Sequence, residues 1–172
     1  SRGLGDVYKR QVFDSRGNPT IEVDIITKNN TLGRAMAPSG ASTGSNEALE
    51  IRDGDEMFGG KDIKKAIKII DEELSPLLIN KSCLDQEGFD SIINLYDSSV
   101  RKTKIGGNVS IALSLANYLC GAKFLDKPLF QYSSKNNNFS LPIPEIQIFG
   151  GGAHAGNLPV SYTHLRAHET PE

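Results

Sequence analysis

Residues 20–27 read TIEVDIIT, and this alternation of apolar and acidic side chains is the clearest structural signal in the chain. A period of two is typical of a strand with one buried face. Glu22 and Asp24 fall on the polar face. The face predicted to be buried consists of Ile21, Val23 and Ile25. We therefore predict a half-buried strand over this stretch.

Turn-forming residues flank this strand on both sides. Residues 14–19 (DSRGNP) and 28–30 (KNN) are rich in Asp, Asn, Gly and Pro, which favour turns. Beyond them, residues 7–13 and 32–37 are short and rich in strand-forming side chains. The first part of the chain is therefore predicted to be an antiparallel β-meander.

After this meander, the spacing of apolar residues changes to that of helices. Residues 45–53 predict a short helix, Asp62 is a candidate N-cap for a second helix, and Pro76 is predicted to end that helix. Asp85 and Asn108 are predicted to open two more helices, of which the last is the longest. Strands followed by helices indicate an α+β fold: a short antiparallel β-meander followed by a helical bundle.

Composition excludes several classes of function. The chain has 172 residues and a net charge of −2, and its pI of about 5.9 gives no basis for binding nucleic acid or an anionic membrane. It also has no apolar stretch of membrane-spanning length and no secretory h-region. Cys83 and Cys120 are far apart in apolar surroundings, so we expect reduced core residues in a cytoplasmic protein.

The first glycine-rich loop, residues 38–44 (PSGASTG), contains only small residues and several hydroxyl groups. Such a loop can close over a ligand, and its hydroxyl and carbonyl oxygens suit Mg²⁺. The alternative is a surface loop between a strand and a helix, with Thr43 or Ser45 as the N-cap. Sequence pattern alone leaves both interpretations open.

The second glycine-rich loop, residues 150–156 (GGGAHAG), surrounds His154 with glycines. Its backbone N–H groups could approach an anion, and the histidine would add a donor near neutral pH. The alternative is a plain turn with an incidental histidine. The loop does not fit the dinucleotide motif, because Ala155 stands where the last glycine is required. No spacing of His, Asp or Glu predicts a metal site.

Several segments together are similar to the enolase (phosphopyruvate hydratase) family. The segments that match in order and spacing are residues 12–20 (VFDSRGNPT), 39–44 (SGASTG) and 47–55 (EALEIRDGD). Further similarity is found in residues 104–108 (KIGGN), 142–144 (PIP) and 151–156 (GGAHAG). The resemblance covers residues 10–157 and implies an amino-terminal domain of the enolase type.

The resemblance implies a glycolytic reaction, the reversible dehydration of 2-phosphoglycerate to phosphoenolpyruvate. In this family two Mg²⁺ ions neutralise the substrate carboxylate, a lysine takes the C2 proton and a glutamate helps the 3-hydroxyl to leave. Ser39 matches the serine that joins the second Mg²⁺ when a lid loop closes, and His154 matches a histidine near the substrate phosphate. Arg16 and Glu22 match segments at a homodimer interface, with Glu22 resembling a partner in a cross-dimer ion pair. The implied lid loop consists of Ser39, Gly40, Ala41, Ser42 and Thr43.

The resemblance also divides the chain. We assign residues 10–134 to the amino-terminal domain and residues 135–157 to a linker and the start of the barrel domain, with 146–149 as the first strand of a truncated TIM-like barrel. Residues 1–9 and 158–172 resemble translated library-adapter sequence, so we interpret them as artefactual ends. The family's lysine, glutamate and three carboxylate Mg²⁺ ligands lie in the barrel, which needs about 250 residues. We therefore expect no catalytic residue in this fragment and no activity from it alone.

Some positions depart from the family. Gln147, Phe149 and Gly150 stand where the family usually has Asn, Ile and Asn, and Asn46 stands where it often has histidine. These departures indicate a divergent branch, and an enolase-like lyase acting on another substrate is one alternative. The other is a non-catalytic, enolase-derived domain used for binding or assembly.

Overall fold

A computed structural model of the chain describes residues 2–38, 44–134, 136, 138–145, 149–150 and 160–161. The chain divides into two units: the first consists of Ser1–Ser39 and Gly44–Lys135, and the second of Gly40–Thr43 and Asn136–Glu172. Among the residues described, no helix has both the length and the apolar character needed to cross a bilayer.

The first unit opens with a three-stranded antiparallel sheet in the order β1-β2-β3. Its strands are β1 (Leu4–Phe13), β2 (Pro19–Thr27) and β3 (Leu32–Met36). This confirms the predicted meander, although β1 begins three residues before the predicted start. Leu4 and residues 6–9 pair with β2, and Leu4 and Val7 are buried. The interpretation of residues 1–9 as an artefactual end concerns their origin and stays a prediction.

Strand β2 is buried on both faces. Its predicted inner face is confirmed, because Ile21, Val23 and Ile25 are fully buried in the core. The polar face differs from the prediction of a half-buried strand, since Asp24 is only 6% exposed. Arg34 of β3 lies opposite Asp24 and covers it through a bidentate ion pair. A charged residue on the outer face is therefore buried by a neighbouring strand.

Helices follow the sheet, as predicted. They are α1 (Lys64–Lys68), a π-helical segment (Ile69–Leu74), α2 (Ser75–Leu78), α3 (Gln86–Tyr96), α4 (Gly107–Phe124) and α5 (Leu129–Ser133), preceded by a tight turn, Met57–Gly60. Cys83 and Cys120 are free and buried, which confirms that they are core residues. Burial raises the pKa of Cys120 to about 12, so its thiol stays protonated at neutral pH.

The helix predicted over residues 45–53 is not present. Residues 45–47 form a turn, and residues 48–53 have no regular structure. Their backbone groups bond to other segments instead: the Leu49 N–H donates to the Arg101 carbonyl, and the Leu49 carbonyl accepts from the Gly107 N–H. Because these polar groups already have partners, a helical ladder is not needed to satisfy them.

The prediction that Asp62 caps the second helix is also wrong. This helix begins at Lys64, and the N–H groups of Lys64 and Lys65 donate to the Asp53 carboxylate at 3.0 and 2.9 Å. Asp62 instead accepts from the Ile63 N–H and pairs with the Lys64 ammonium group. The capping carboxylate therefore comes from the irregular segment that precedes the helix.

Pro76 does not end this helix, contrary to the prediction. The chain continues helically through the π-helical segment Ile69–Leu74 into α2, where Pro76 occupies the first turn. Proline has no N–H and its ring collides with a carbonyl four residues back in a regular helix. The wider segment just before it, in which the Ser75 N–H bonds to Ile70, relieves that conflict.

Of the two remaining predicted helix starts, one is confirmed and the other is wrong. Asp85 caps α3 as predicted, because its side chain accepts from the Gly88 N–H at 2.9 Å. Helix α4 begins at Gly107 with Gly106 as its cap, so Asn108 does not open it. The Asn108 side chain bonds to Ile51 instead.

Helix α4 lies directly on the sheet at Gly33. A methyl group on Gly33 would lie 2.2 Å from the Ala116 carbonyl oxygen and 2.4 Å from the Cys120 backbone nitrogen. The backbones of β3 and α4 are therefore in contact with no side chain between them. This close approach sets the distance between the sheet and the helical layer.

Asp97 organises the connection between α3 and α4. It is 4% exposed and accepts hydrogen bonds from the Lys104 and Ile105 N–H groups at 2.8 and 3.1 Å, and from the Ser99 hydroxyl. Burial alone would raise the pKa of Asp97, but these hydrogen bonds outweigh it and lower the pKa to about 2. The folded loop therefore requires the ionised carboxylate.

The second unit contains two short strands, β4 (Phe149–Gly150) and β5 (Val160–Ser161), which pair antiparallel. Residues 146–148 of the predicted barrel strand lie outside the described residues. The prediction of a first barrel strand is not confirmed, because strands of such a barrel pair in parallel.

We expect Gly33→Ala to destabilise the first unit by roughly 2–3 kcal/mol or more, because the added methyl would force two backbones apart. Urea denaturation followed by circular dichroism measures this loss. Gly5→Ala is the matched control, since a methyl there meets only ordinary contacts of 3.5 Å and longer. Equal stability of the two variants would contradict the close approach of β3 and α4.

We expect Asp97→Asn to cost about 2 kcal/mol at pH 7, because buried N–H groups lose a charged acceptor. A carboxyl whose folded pKa is about 2, against an ordinary 3.8, stabilises the fold above pH 3.8 and loses that effect as pH falls through 2. The difference between wild type and variant should therefore shrink between pH 4 and pH 2 in urea titrations. A constant difference across this range would exclude the proposed ionisation.

Candidate functional site

The predicted lid loop, residues 39–43, and His154 lie outside the described residues, but both stems of the loop are described. The leading stem ends at Ala37, which is 1% exposed. Its carbonyl accepts a hydrogen bond from the Thr20 hydroxyl at 2.6 Å, and its N–H donates to Ile21 at 3.0 Å. A buried side chain of β2 thus extends the β2–β3 pairing to the edge of the loop.

The trailing stem is held by the α3–α4 connection. The Gly44 carbonyl accepts from the Glu47 N–H at 3.2 Å, and the Arg101 guanidinium donates to the Glu47 carbonyl at 3.2 Å. The Leu49 N–H then donates to the Arg101 carbonyl at 2.8 Å. The chain that leaves the loop is therefore fixed to a neighbouring segment within a few residues.

Asn108 completes this attachment. Its side-chain oxygen accepts from the Ile51 N–H and its amide donates to the Ile51 carbonyl, both at 3.1 Å. Gly106, with a φ of +82°, lies so close that a methyl group there would be 2.6 Å from the Ile51 side chain. Asn108 therefore acts as a substitute strand partner for an otherwise irregular segment.

Arg16, one of the two predicted interface residues, lies in the turn between β1 and β2. The Asp14 carboxylate accepts from the N–H groups of Arg16 and Asn18 at 2.9 and 2.8 Å, and Gly17 provides the required positive φ of 75°. The Lys61 ammonium group donates to the Asn18 side chain at 2.8 Å. The turn that presents Arg16 at the surface is therefore rigidly built.

Glu22, the other predicted interface residue, lies in a network of four charges on the outer face of the sheet. It pairs with Arg10, while Arg34 forms hydrogen bonds of 2.6 and 2.7 Å to Asp24. The hydrogen bond from Arg34 lowers the pKa of Asp24 although burial opposes it, and the charges of Arg34 and Arg10 lower it further. Glu22 is therefore already paired within one chain.

Three carboxylates, Asp53, Asp55 and Asp62, place oxygens within 4.8 Å of one another. Each oxygen set already has internal partners: Asp53 caps α1, Asp55 accepts from the Met57 N–H, and Asp62 pairs with Lys64. The Lys64 ammonium, 2.9 Å from Asp62, lowers the pKa of that carboxyl. The Lys64 ammonium group already supplies the positive charge that a cation would otherwise provide. These carboxylates therefore fit a role in holding the irregular segment against the start of α1, and they do not fit a Mg²⁺ site.

Comparison with known proteins gives a consistent family. The family model described as "Enolase, N-terminal domain" matches residues 4–133. The chain is 47% identical over 155 residues to "Enolase 1" of Desulfitobacterium hafniense and 42% identical over 154 residues to "Enolase" of Natranaerobius thermophilus. These alignments cover 90% of this chain but 36% of each relative, so the chain spans about a third of their length.

Sequence reasoning did not find the residues that hold the loop stems. The sequence predicts Thr20 only as part of a strand and Asn108 only as a helix start, because each partner is remote: Ala37 is 17 residues from Thr20, and Ile51 is 57 residues from Asn108. A signal was available for Asn108, since asparagine in an otherwise apolar helix is expensive to bury without a partner. The sequence pattern does not predict the acidic cluster, because only the folded chain places Asp62 next to Asp53.

We expect Thr20→Val to loosen the leading stem, because the isosteric change removes the hydroxyl and leaves the buried Ala37 carbonyl without that donor. The cost should be about 1–2 kcal/mol, with faster amide exchange at Ala37. Thr103→Val, at an exposed position, is the matched control. Exchange at Ala37 that is unchanged in Thr20→Val would argue against this anchoring.

Proposed function

Because the chain belongs to the enolase family through its amino-terminal domain, we propose that the complete protein is a cytoplasmic, magnesium-dependent lyase that interconverts 2-phosphoglycerate and phosphoenolpyruvate. The match across residues 4–133 to the family's amino-terminal domain carries this proposal. Similarity to two proteins named as enolases, at 42% and 47% identity, supports it.

The anchoring of the two loop stems supports a lid function for residues 39–43. A loop that closes over a ligand needs fixed ends, so that closure changes only the loop itself. Thr20 fixes the leading end at Ala37, while Arg101 and Asn108 fix the trailing segment at Glu47 and Ile51. We infer that these contacts fix the two points at which the loop is attached.

Within this proposal, Ser39 offers a hydroxyl oxygen and His154 offers a donor for the substrate phosphate. Bound magnesium supplies positive charge that offsets the charge of the substrate carboxylate. The proton-transferring lysine and glutamate, and the carboxylate ligands, are assigned to the part of the relatives' chain beyond the aligned stretch. We therefore propose that this chain binds and closes but does not itself move the substrate protons.

We further propose that Arg16 and Glu22 lie at a homodimer interface of the complete protein. The outer face of the sheet supports this, because Tyr8 and Met36 on it are both 49% exposed. A cross-dimer ion pair at Glu22 would replace or extend its pair with Arg10. Partial exposure of Arg10, at 37%, leaves that exchange sterically open.

A second candidate function is a non-catalytic binding or assembly domain. The observation that favours it is the continuous core of the first unit, which joins the sheet, α3 and α4 without any residue outside this chain. Such a domain would associate with a complete enolase through the surfaces described here and would have no turnover of its own.

The decisive experiment joins residues 4–134 of this chain to the remainder of the D. hafniense Enolase 1. We expect this chimera to form phosphoenolpyruvate from 2-phosphoglycerate with Mg²⁺, measured by ultraviolet absorbance. Its molar mass, measured by light scattering, should be that of a dimer. The 172-residue chain alone should show no turnover. Ser39→Ala in the chimera should lower kcat by roughly tenfold or more, because a hydroxyl ligand is lost.

A folded chimera without turnover would reject the proposed reaction. Turnover by the 172-residue chain would reject the proposal that the proton-transferring residues lie beyond the aligned stretch. Thr103→Val in the chimera is the control and should leave kcat unchanged, since Thr103 lies on the surface. A wild-type rate in Ser39→Ala would remove Ser39 from the proposed site.

A further inference from the structure

Two buried thiols meet in the core of the first unit. Cys83 lies in the segment that connects α2 to α3, and Cys120 lies in α4; both side chains are completely buried. The two thiols are hydrogen-bonded to each other, and they are free rather than joined in a disulfide. A single free cysteine in a core behaves as a small apolar side chain. Two cysteines in contact are a different case, because their sulfur atoms can form a bond.

Gly121 lets the segment that carries Cys83 approach α4 beside Cys120. A methyl group on Gly121 would lie 2.7 Å from the Cys83 carbonyl oxygen. The backbone at Cys83 is therefore in contact with the helix one residue beyond Cys120. A disulfide needs Cα atoms about 4.4–6.8 Å apart, so two backbones in contact favour a bond between these side chains.

Tyr132 of α5 lies next to both thiols. A methyl group on Gly121 would be 2.5 Å from the Tyr132 hydroxyl oxygen, and the Tyr132 ring lies 4.9 Å from the Tyr118 ring between centroids. Burial raises the pKa of Tyr132, and the charges of Tyr118, Cys83 and Cys120 raise it further. Helix α5 has five residues, none of them buried. Opening of such an element costs little free energy, so α5 can admit a small molecule to the thiols.

The two thiols have different surroundings. Burial raises the pKa of Cys83, and a hydrogen bond from Cys120 lowers it in part. Burial, together with the charge and the hydrogen bond of Cys83, raises the pKa of Cys120 to about 12. Cys83 is therefore the thiol that ionises first, with the Cys120 S–H group as the donor that stabilises its thiolate.

A metal site fits this pair less well than a disulfide does. A structural zinc site needs four ligands. Within the part of the chain that the structure describes, no third His, Cys, Asp or Glu side chain joins the two cysteines in a group that could hold an ion. Two thiols in contact without further ligands are suited to a bond between their sulfur atoms.

We propose that Cys83 and Cys120 are a redox pair that a small hydroperoxide converts into a reversible intrachain disulfide. The Cys83 thiolate attacks one oxygen of hydrogen peroxide, the O–O bond breaks, and the products are a Cys83 sulfenic acid and hydroxide, which takes up the Cys83 proton as water. The Cys120 sulfur then attacks the Cys83 sulfur, the S–O bond breaks, and hydroxide leaves with the Cys120 proton as a second water. The two thiols lose two electrons, and the peroxide gains them.

A low-molecular-weight thiol reverses the bond by thiol–disulfide exchange. Disulfides inside cells are usually transient and redox-sensing, and a pair that is free at rest fits that pattern. The proposal is independent of the proposed lyase reaction, since neither cysteine has a part in it.

The disulfide ties α4 to the connection between α2 and α3. It closes the stretch from residue 83 to residue 120, which contains all of α3, and so restricts the unfolded chain. It also withdraws the Cys120 S–H group from the Thr31 carbonyl oxygen, which lies 3.6 Å away. We expect the oxidised chain to melt roughly 5 °C or more above the reduced chain.

The test exposes the native 172-residue chain to hydrogen peroxide at pH 7, blocks the remaining thiols in denaturant and measures the intact mass. Both thiols should disappear together, with loss of the mass of two hydrogen atoms and with no link between chains. Dithiothreitol should restore both thiols. Oxidised glutathione is a much larger reagent, so burial should make its reaction slower than that of peroxide by roughly tenfold or more.

Three variants test the parts of the pair. Tyr132→Ala removes the covering ring and should speed disulfide formation roughly fivefold or more, whereas Tyr132→Phe keeps the ring and is the matched control. Cys120→Ala removes the second thiol, so Cys83 should stop at a sulfenic or sulfinic acid without a disulfide. Circular dichroism checks that each variant is folded, and the wild-type measurement stands without them.

Two free thiols in the wild-type chain after exposure to peroxide would overturn the proposal. A sulfinic acid at one cysteine with the other still free would overturn it as well, and so would a disulfide between two chains. Equal rates for Tyr132→Ala and Tyr132→Phe would remove Tyr132 as the cover. An oxidised chain that melts below the reduced one would contradict an arrangement suited to the bond.

Discussion

The rest of the structure depends on the contact between the backbones of β3 and α4 at Gly33. With no side chain between them, the helix lies closer to the sheet than side-chain packing normally allows, and a methyl group would collide with the Ala116 carbonyl at 2.2 Å. This distance lets small residues such as Ala112 and Ala116 fill the space beneath the sheet. Helix α4 also contacts β2, whose inner side chains lie in the same buried core as Cys120.

Single polar side chains hold the segments that have no regular structure. Asn108 forms hydrogen bonds with the backbone of Ile51, and Asp53 caps α1. Asp97 accepts hydrogen bonds from N–H groups of the α3–α4 connection. Each replaces a strand or helix partner with a side chain, which satisfies backbone groups that would otherwise be costly to bury. The stems of the loop at residues 39–43 are attached to this frame, with Thr20 on the leading side. Both stems therefore belong to the folded first unit.

The two outer faces of the first unit differ in chemistry. The sheet presents a charge network in which Arg10, Glu22, Asp24 and Arg34 neutralise one another, whereas α4 presents aliphatic side chains. A neutralised charge network tolerates water and suits an interface that can exchange partners. An aliphatic helix face gains from permanent coverage. The sheet with its charge network is the face on which we propose the dimer interface.

Sequence by itself determined the elements whose signals are local. Alternation over residues 20–27 identified β2, and Asp85 identified the start of α3, because both depend on neighbours a few residues away. Motif order over residues 12–55 also indicated the family, which the match to residues 4–133 confirms. Only the tertiary structure decided that residues 45–53 are not helical, that Asp53 caps α1 in place of Asp62, and that Asp24 is buried. The physical reason is that the hydrogen-bond partners and the covering side chains come from segments distant in sequence. The spacing of apolar and polar residues within one segment does not reveal those partners.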